Sequence, residues 1–342
     1  MKLGISIFPE DLGYDGAVAV GRRADEKGLA EVFTVEHGFY NDGVITAMAI
    51  AAKTERIAVG TGIANVYLRH PYSLANAALA MHRIAGGGFV LGIGVGHPHL
   101  AKALEVPWAP PRQALRETTE KVRAAFADAP EGAAAGRTFM DATPDIPVHW
   151  GGVGERTVRG AVNHADGLML YLCSGARLDD IFAMVADEMK SAGRDPASLD
   201  VSLLIPTFLD TDLARSRAAG REFLILYCSF PAYARMFRAS GFADEQDAID
   251  ARLAAGDRAG AKAAIGDAML DEVCLVGDAE RIARGLQRLA DRGLSHALIA
   301  PRALDPATTR ADMLRTVDAV AELTVGRGVR AGRAGRWRAR TG

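Results

Sequence analysis

Two predicted strands of this chain are each followed by residues that can bind a ligand or move a proton. The strands span 56–63 and 89–95, and each is a short apolar run typical of a strand buried on both faces. Between them, apolar side chains recur at helical spacing from 71 to 84. The polar residues that follow the strands are Asn65, Tyr67, Arg69, His70, His97 and His99. Because parallel strands joined by a helix end at one edge of a sheet, we expect these side chains to share a rim.

A histidine at the end of another predicted strand could transfer protons near neutral pH. The segment 33–43 reads FTVEHGFYNDG and places Glu36 and His37 at the end of the strand predicted over 31–37. Imidazole is an effective acid or base in this pH range, and a neighbouring carboxylate could orient it. A histidine that only hydrogen-bonds the next loop is the alternative, and the sequence leaves both open.

A glycine-rich turn indicates an anion site. Residues 148–161 read VHWGGVGERTVRGA, so Gly151, Gly152 and Gly154 separate a buried strand from a helix that begins at Glu155. Glycines allow close approach of a ligand, and the first turn of the helix offers unpaired N–H groups to a phosphate. Arg156 could add positive charge or face solvent. The turn lacks the Lys-Ser/Thr of a Walker loop and the spacing of the dinucleotide fingerprint, and a tight turn needing glycine for packing is the alternative.

Other reactive groups do not form recognisable sites. His97 and His99 lack a third ligand at a metal-binding spacing, so no metal site is predicted. Cys173, Cys228 and Cys274 are odd in number and widely spaced, which argues against disulfides and structural zinc. There is no GxSxG elbow.

The elements that must position these residues alternate between strand and helix. Eight strands are predicted, at 2–8, 31–37, 56–63, 89–96, 147–152, 167–172, 200–209 and 295–301, with a helix after each. This rhythm predicts an α/β (β/α)8 TIM barrel whose chemistry lies at the carboxyl ends of the strands. The long spacers 97–146 and 210–274 are predicted insertions after strands four and seven that build the substrate pocket.

Composition limits the classes of function. Forty basic and forty-two acidic residues give a formal charge of −2, which does not favour a nucleic-acid partner. No apolar run could span a membrane and the N-terminus lacks signal-peptide features, so with its free cysteines the chain is predicted to be cytoplasmic. One domain is expected over 1–325, followed by an arginine- and glycine-rich tail over 326–342 that is expected to be disordered. Alanine-rich helices two and three could form a homodimer.

The motifs together resemble the luciferase-like superfamily of flavin and deazaflavin oxidoreductases. RIAVGTGIANVYLRHP with the following GGFVLGIGVGHP, the VFTVEH segment and GGVGERTVRGAVNHADG carry the resemblance, which is strongest to the branch that depends on coenzyme F420. It implies a non-prolyl cis peptide at Gly62–Ile63 behind the deazaflavin ring, a phosphate site in the glycine turn, and an acid/base role for His37. The cofactor-binding residues it implies are Gly62, Ile63, Ala64, Asn65, Gly96, Gly151, Gly152, Val153, Gly154, Glu155 and Arg156.

The expected reaction is hydride transfer between coenzyme F420 and a small organic substrate, with Glu36, His37 and His97 as the catalytic residues. Some sugar-phosphate-oxidising relatives carry a glutamate after strand four, whereas this chain has Gly96-His97-Pro98. A sugar phosphate is therefore doubtful as the substrate, and His97 becomes a candidate proton donor. An FMN-dependent monooxygenase, a non-catalytic flavin-binding barrel and a non-redox isomerase are the alternatives.

Overall fold

The computed structural model describes residues 1–127 and 145–326, which form ten strands and fourteen α-helices. The strands are β1 (Lys2–Ile7), β2 (Glu31–Thr34), β3 (Ala58–Thr61), β4 (Ala64–Asn65), β5 (Phe89–Gly94), β6 (Val148–Gly151), β7 (Gly167–Tyr171), β8 (Asp200–Leu209), β9 (Leu275–Gly277) and β10 (His296–Pro301). The helices are α1 (Gly13–Glu26), α2 (Gly43–Ala51), α3 (Pro71–Ile84), α4 (Pro98–Ala103), α5 (Pro111–Ala127), α6 (Glu155–His164), α7 (Gly175–Ser191), α8 (Leu213–Cys228), α9 (Pro231–Ala239), α10 (Ala243–Ala254), α11 (Arg258–Ala263), α12 (Asp267–Val273), α13 (Ala279–Asp291) and α14 (Thr309–Gly326). Gly326 ends α14, and the rest of the predicted tail lies outside the described residues.

Eight parallel strands close into a barrel, which confirms the predicted (β/α)8 fold. Their order is β1, β2, β3, β5, β6, β7, β8 and β10, and β10 pairs with both β8 and β1 to complete the ring. The two short strands were not predicted. β4 continues the path of β3 and pairs with β5, and β9 pairs with the end of β8.

The spacer after β8 contains five helices, α8 to α12. Side-chain oxygens cap the first turn of several helices in the chain, namely at Asp42, Ser174, Asp212 and Asp278. Such caps satisfy N–H groups that have no partner within the helix. α6 has no side-chain cap, which becomes important at the site.

Glycines at 60, 92 and 151 leave space in the barrel interior beside β3, β5 and β6. A Cβ atom at Gly60 would lie 2.3 Å from Cε1 of Phe33, and one at Gly92 would lie 1.9 Å from the carbonyl oxygen of Thr61. Met169 reaches from β7 to the same region, so its sulfur would lie 2.6 Å from a Cβ at Gly92. Side chains from β2 and β7 therefore fill the space that the glycine strands leave open.

A charged network occupies the amino-terminal end of the barrel. His296 Nδ1 lies 2.9 Å from Oε1 of Glu31, and its Nε2 lies 3.5 Å from Oδ1 of Asp200. Burial by itself lowers the pKa of His296, but the charges of Glu31 and Asp200 raise it to about 9. The ring of His149 packs on Gly167 nearby, and burial lowers its pKa. Both histidines are buried and contribute to the core.

None of the helices in the described ranges is long and apolar enough to cross a membrane.

Candidate active site

His37 and Glu10 form a hydrogen-bonded pair at the carboxyl ends of β1 and β2. His37 Nδ1 lies 2.8 Å from Oε1 of Glu10, which belongs to the short 3₁₀ turn after β1. Burial raises the pKa of Glu10, but the hydrogen bond and charge of His37 outweigh it and hold that pKa below its ordinary value. Glu10 is thus an ionised acceptor at neutral pH. Glu10 was not predicted from the sequence, although its position soon after the first strand is a signal for a residue at the barrel mouth.

Glu36 has different partners from those expected. One carboxylate oxygen accepts a hydrogen bond of 2.7 Å from the backbone N–H of Asn65, and the other lies 2.5 Å from Nη1 of Arg69. Arg69 also pairs with Asp42 at 2.6 Å. The carboxylate that contacts His37 is therefore Glu10 rather than Glu36. Glu36 instead ties the end of β2 to the segment that follows β3.

The chain bulges between β3 and β4, and the expected cis peptide bond is present at Gly62–Ile63. The side chain of Ile63 occupies a slot between two glycines on the neighbouring strands. A Cβ atom at Gly94 would lie 2.4 Å from Cγ1 of Ile63, and one at Gly151 would lie 2.6 Å from its Cγ2. Glycine at both positions is what allows the bulge to sit at this depth in the barrel mouth.

Asn65 and Gly96 meet beside this bulge. Gly96 has a φ of +62°, a left-handed conformation that favours glycine, and a Cβ there would lie 2.8 Å from Nδ2 of Asn65. Asn65 is buried, as is its neighbour Ala64. The predicted cofactor-binding residues of strands three and four are thus brought together on one side of the mouth.

The glycine turn presents an uncapped helix end to solvent. Gly154 occupies the N-cap position of α6 with extended backbone, and a Cβ there would meet nothing within 4 Å. Gly152 is fixed by a hydrogen bond of 3.1 Å from its N–H to the carbonyl of Met169, and Arg177 donates to the carbonyl of Val153 at 2.8 Å. Glu155 and Arg156 are exposed. Unpaired N–H groups, open space and an adjacent guanidinium are the requirements of a phosphate site. The sequence analysis missed Arg177.

His97 lies at the start of α4 under the helices of the second insertion. Its ring centroid is 4.6 Å from that of Phe230 and 5.8 Å from that of Tyr233. Burial lowers the pKa of His97, and the nearby His37 adds to this effect, so the neutral imidazole prevails at pH 7. Among the described residues no cluster of His, Cys, Asp and Glu could hold a metal ion.

Aromatic side chains complete the wall opposite the bulge. The hydroxyl oxygens of Tyr171 and Tyr227 are 3.0 Å apart, and the Tyr227 ring lies 5.2 Å from that of Tyr233. Burial raises the pKa of all three phenols, so each keeps its proton. Arg302, at the end of β10, lies 3.6 Å above the Phe8 ring and pairs with Asp11 at 2.5 Å. Tyr227 and Tyr233 were not predicted, because the insertion that carries them has no motif.

The cysteines take no part in this arrangement. All three are free and buried. Burial raises the pKa of Cys173, the one at a strand end, to about 12. A thiol with that pKa is a poor nucleophile at neutral pH.

Comparison with known proteins shows the family to which the chain belongs. The family model for the luciferase-like monooxygenases matches residues 1–296. Over 227 residues the chain is 25% identical to a 5,10-methylenetetrahydromethanopterin reductase of Methanolobus tindarius, covering 65% of this chain and 69% of that protein. It is 24% identical over 318 residues to a putative coenzyme F420-dependent oxidoreductase, Rv3520c, of Mycobacterium tuberculosis, covering 82% of this chain and 90% of the relative.

Solved structures give the same fold. The coenzyme F420-dependent tetrahydromethanopterin reductase of Methanopyrus kandleri superposes with a TM-score of 0.79 at 18% identity, covering 95% of this chain and 98% of that one. The family model spans most of the chain and includes every strand end described above except that of β10. The chain belongs to the luciferase-like monooxygenase family.

Proposed function

We propose that this protein is an oxidoreductase that binds coenzyme F420 and exchanges a hydride with a small organic substrate. The observation that carries the proposal is the pairing of two features at the barrel mouth, one after β3 and one after β6. The Ile63 bulge lies against Gly151, and the uncapped start of α6 follows that glycine by a few residues. A flat ring with a phosphate-bearing side chain needs such a combination of platform and anion site. The Mycobacterium tuberculosis and Methanopyrus kandleri relatives, both named as coenzyme F420-dependent enzymes, support coenzyme F420 as that ligand.

The residues present fit this cofactor. Residues Gly62 to Asn65 and Gly96 would support the ring, and the turn from Gly151 to Arg156 would hold the phosphate. The absence of any side chain at Gly154 and the lack of a side-chain cap on α6 leave its N–H groups for the ligand. When bound, the deazaflavin supplies a carbon that accepts or donates a hydride.

His37 would move the proton that accompanies this hydride. Because ionised Glu10 accepts a hydrogen bond from Nδ1 of His37, the favoured tautomer of His37 carries its proton on Nδ1 and leaves Nε2 as an acceptor. Nε2 can then take the proton from a substrate hydroxyl during oxidation, or return it to a carbonyl during reduction. Glu36 would act indirectly, because its carboxylate accepts a hydrogen bond from the backbone N–H of Asn65. The aromatic wall would exclude water and orient the substrate.

His97 is proposed as a second contact to the substrate. Its imidazole is half-buried between His37 and the Phe230 ring, and its depressed pKa keeps it neutral. A neutral imidazole donates one hydrogen bond, which suits an uncharged substrate oxygen better than a phosphate dianion. This agrees with the expectation from Gly96-His97-Pro98 that the substrate is not a sugar phosphate.

The family model's own description favours a second candidate, an FMN-dependent monooxygenase on the same barrel. The two chemistries differ in their use of oxygen, since reduced FMN forms an oxygen adduct that reduced deazaflavin forms poorly. Oxygen uptake measured with each reduced cofactor separates them. Rapid uptake with FMN and no fluorescence change with F420 would select the monooxygenase.

The proposal is tested by titrating the protein with F420 while following the cofactor's fluorescence. We expect quenching with a micromolar Kd or tighter, and no quenching would overturn the proposal. Gly154→Asp should weaken binding by about tenfold or more, because the carboxylate would cap α6 and repel the phosphate.

Gly266→Asp is the matched control for Gly154→Asp. Gly266 is the uncapped N-cap glycine of α12, with the same extended backbone as Gly154. Both variants should fold and the control should bind as the wild type does. Equal affinity of the two variants would remove the turn at Gly154 from the site.

A further inference from the structure

A surface groove leads away from the glycine turn between α5 and α6. One cavity is lined by Arg112, Gln113, Arg156 and Thr157, together with two prolines. A second is lined by Arg112, Gln113, Arg116 and His164. The two cavities share Arg112 and Gln113 and therefore adjoin each other; together they are called the groove. It starts at the first turn of α6 and ends at that helix's last residue.

The charge of this groove is positive and largely uncompensated. Within the described part of the chain, Arg112 and Arg156 make no ion pair, whereas Arg116 makes only an exposed contact of 3.9 Å to Glu120. The other acidic groups nearby are engaged: Glu155 pairs with Arg159 at 3.0 Å, and Glu117 accepts from Gln113 at 2.8 Å.

The arginine charges of the groove affect the pKa of His164 at its far end. Partial burial lowers the pKa of His164, and although Glu120 opposes this effect, Arg116 and Arg112 add to it. The groove therefore presents arginine charge beside a neutral imidazole at pH 7. Such a surface favours an anion that follows the line of α6.

Packing rather than an ion pair holds Arg112 in position. A Cβ at Gly160 would lie 3.3 Å from Cγ of Arg112 and 2.8 Å from Cζ3 of Trp150, so the stem of the arginine rests directly on α6. The Trp150 indole is itself fixed by donating to Thr119 Oγ1 at 2.8 Å. At the groove's start the loop before α5 is tied down, because the Tyr67 hydroxyl donates to the carbonyl of Ala109 at 2.6 Å. Because the Arg112 guanidinium is held in position without an acidic partner in the protein, it is preorganised to bind an anionic ligand.

We propose that this groove binds the oligocarboxylate tail that coenzyme F420 carries beyond its phosphate. The inference rests on the proposed function and extends it, because the groove begins where the phosphate would bind. The tail of this cofactor is a chain of glutamates, and each adds one carboxylate. α6 has ten residues and is about 15 Å long, so the groove has room for roughly two to four of them.

The test compares F420 with four glutamates against the tail-less phosphate form, by fluorescence quenching at low salt. For the wild type we expect the tailed form to bind roughly three- to tenfold more tightly, as exposed ion pairs would give, and the preference to shrink with added salt. Arg112→Gln/Arg116→Gln should reduce the preference to less than twofold while binding the tail-less form as the wild type does.

Arg288→Gln/Arg310→Gln is the matched control, since it removes the same charge from exposed arginines on α13 and α14. This variant should keep the wild-type preference. Equal binding of both forms by the wild type would overturn the groove assignment and leave the proposed function standing. A preference that survives Arg112→Gln/Arg116→Gln would also overturn it. If neither form binds, the groove assignment falls together with the proposed function.

Discussion

His37 Nδ1 and the Glu10 carboxylate lie 2.8 Å apart, although the two residues belong to different loops of the barrel mouth. The carboxylate that contacts His37 is therefore that of Glu10. The residue adjacent in sequence, Glu36, is committed to Asn65 and Arg69. The proposed proton transfer and the support of the Ile63 bulge thus involve separate carboxylates, and the two roles can be tested independently.

Replacing His37 should impair chemistry and spare cofactor binding. His37→Ala is expected to lower turnover by about 10²–10⁴, because it removes the group that we propose moves the proton. Glu10→Gln should cost about tenfold or more, since an amide can donate to Nδ1 and favour the wrong tautomer. Turnover is followed by F420 absorbance with a substrate found by screening ketones and alcohols. His99→Ala, an exposed control, should behave as the wild type, and wild-type turnover of His37→Ala would remove this residue from the mechanism.

Adding one methyl group at Gly94 should disturb the bulge. Gly94→Ala would place its Cβ 2.4 Å from Cγ1 of Ile63, which we expect to cost about 1–3 kcal/mol of unfolding free energy. Shortening Ile63 to Ala should relieve part of this, so the double variant should lose about 1 kcal/mol less than the sum of the single losses. Urea unfolding gives all three values. Gly154→Ala is the control, because its Cβ has open space; additive losses at 63 and 94 would mean that the two residues do not share a slot.

Breaking the Glu36–Arg69 pair should be costly. The Glu36 side chain is only 2% exposed, so Arg69→Met would leave a buried carboxylate without its cation. The expected loss is about 3–5 kcal/mol in unfolding free energy. Arg22→Met removes an exposed helical pair and should cost about 0.5 kcal/mol or less. Similar losses for both variants in thermal or urea unfolding would contradict the structural role of Glu36.

Stability should fall as the pH rises from neutral to about 9. The folded-state pKa of His296 is raised to about 9, above the ordinary value of 6.5, so its pairing with Glu31 stabilises the fold fully below pH 6.5. That contribution, at most about 3 kcal/mol, is lost as the pH rises through about 9. Urea unfolding at pH 6, 7.5 and 9 measures it. His296→Gln should flatten this dependence and His99→Gln should not; an unchanged slope in His296→Gln would assign the effect to other groups.

The pattern of the sequence predicted the barrel well, and the reasons for its errors are local. The bounds of α3 and α6 agree with the prediction, because a proline or a glycine turn marks each start. The strand predicted over 31–37 ends at Thr34, since Glu36 and His37 leave the sheet to contact Arg69 and Glu10. The strand predicted over 56–63 stops at Thr61, where the bulge begins. Val35 follows the first point and Gly62, Ile63 and Ala64 follow the second, so hydropathy alone could not place either strand end.

The contacts between site residues were harder to predict than the residues themselves. The residue types and positions of His37, His97 and the glycine turn indicate a site, whereas Glu10 and Tyr227 lie in segments without a motif. A contact between residues distant in sequence depends on barrel closure, which a single sequence does not encode locally. The homodimer also stays a prediction. Exposed Ile45 on α2 and Ile84 on α3 are surfaces that it could use.

The glycines of β3, β5 and β6 have a consequence for how this enzyme could acquire new substrates. At Gly92, Gly94 and Gly151 even a methyl group would collide with the backbone or with Ile63, so that half of the mouth tolerates almost no change. The opposite half is built from Tyr227, Phe230 and Tyr233. These residues belong to an inserted helical segment that takes no part in the strand pairing of the barrel. Selection or engineering for a different substrate would therefore concentrate on this insertion, while the glycine-lined half stays constant.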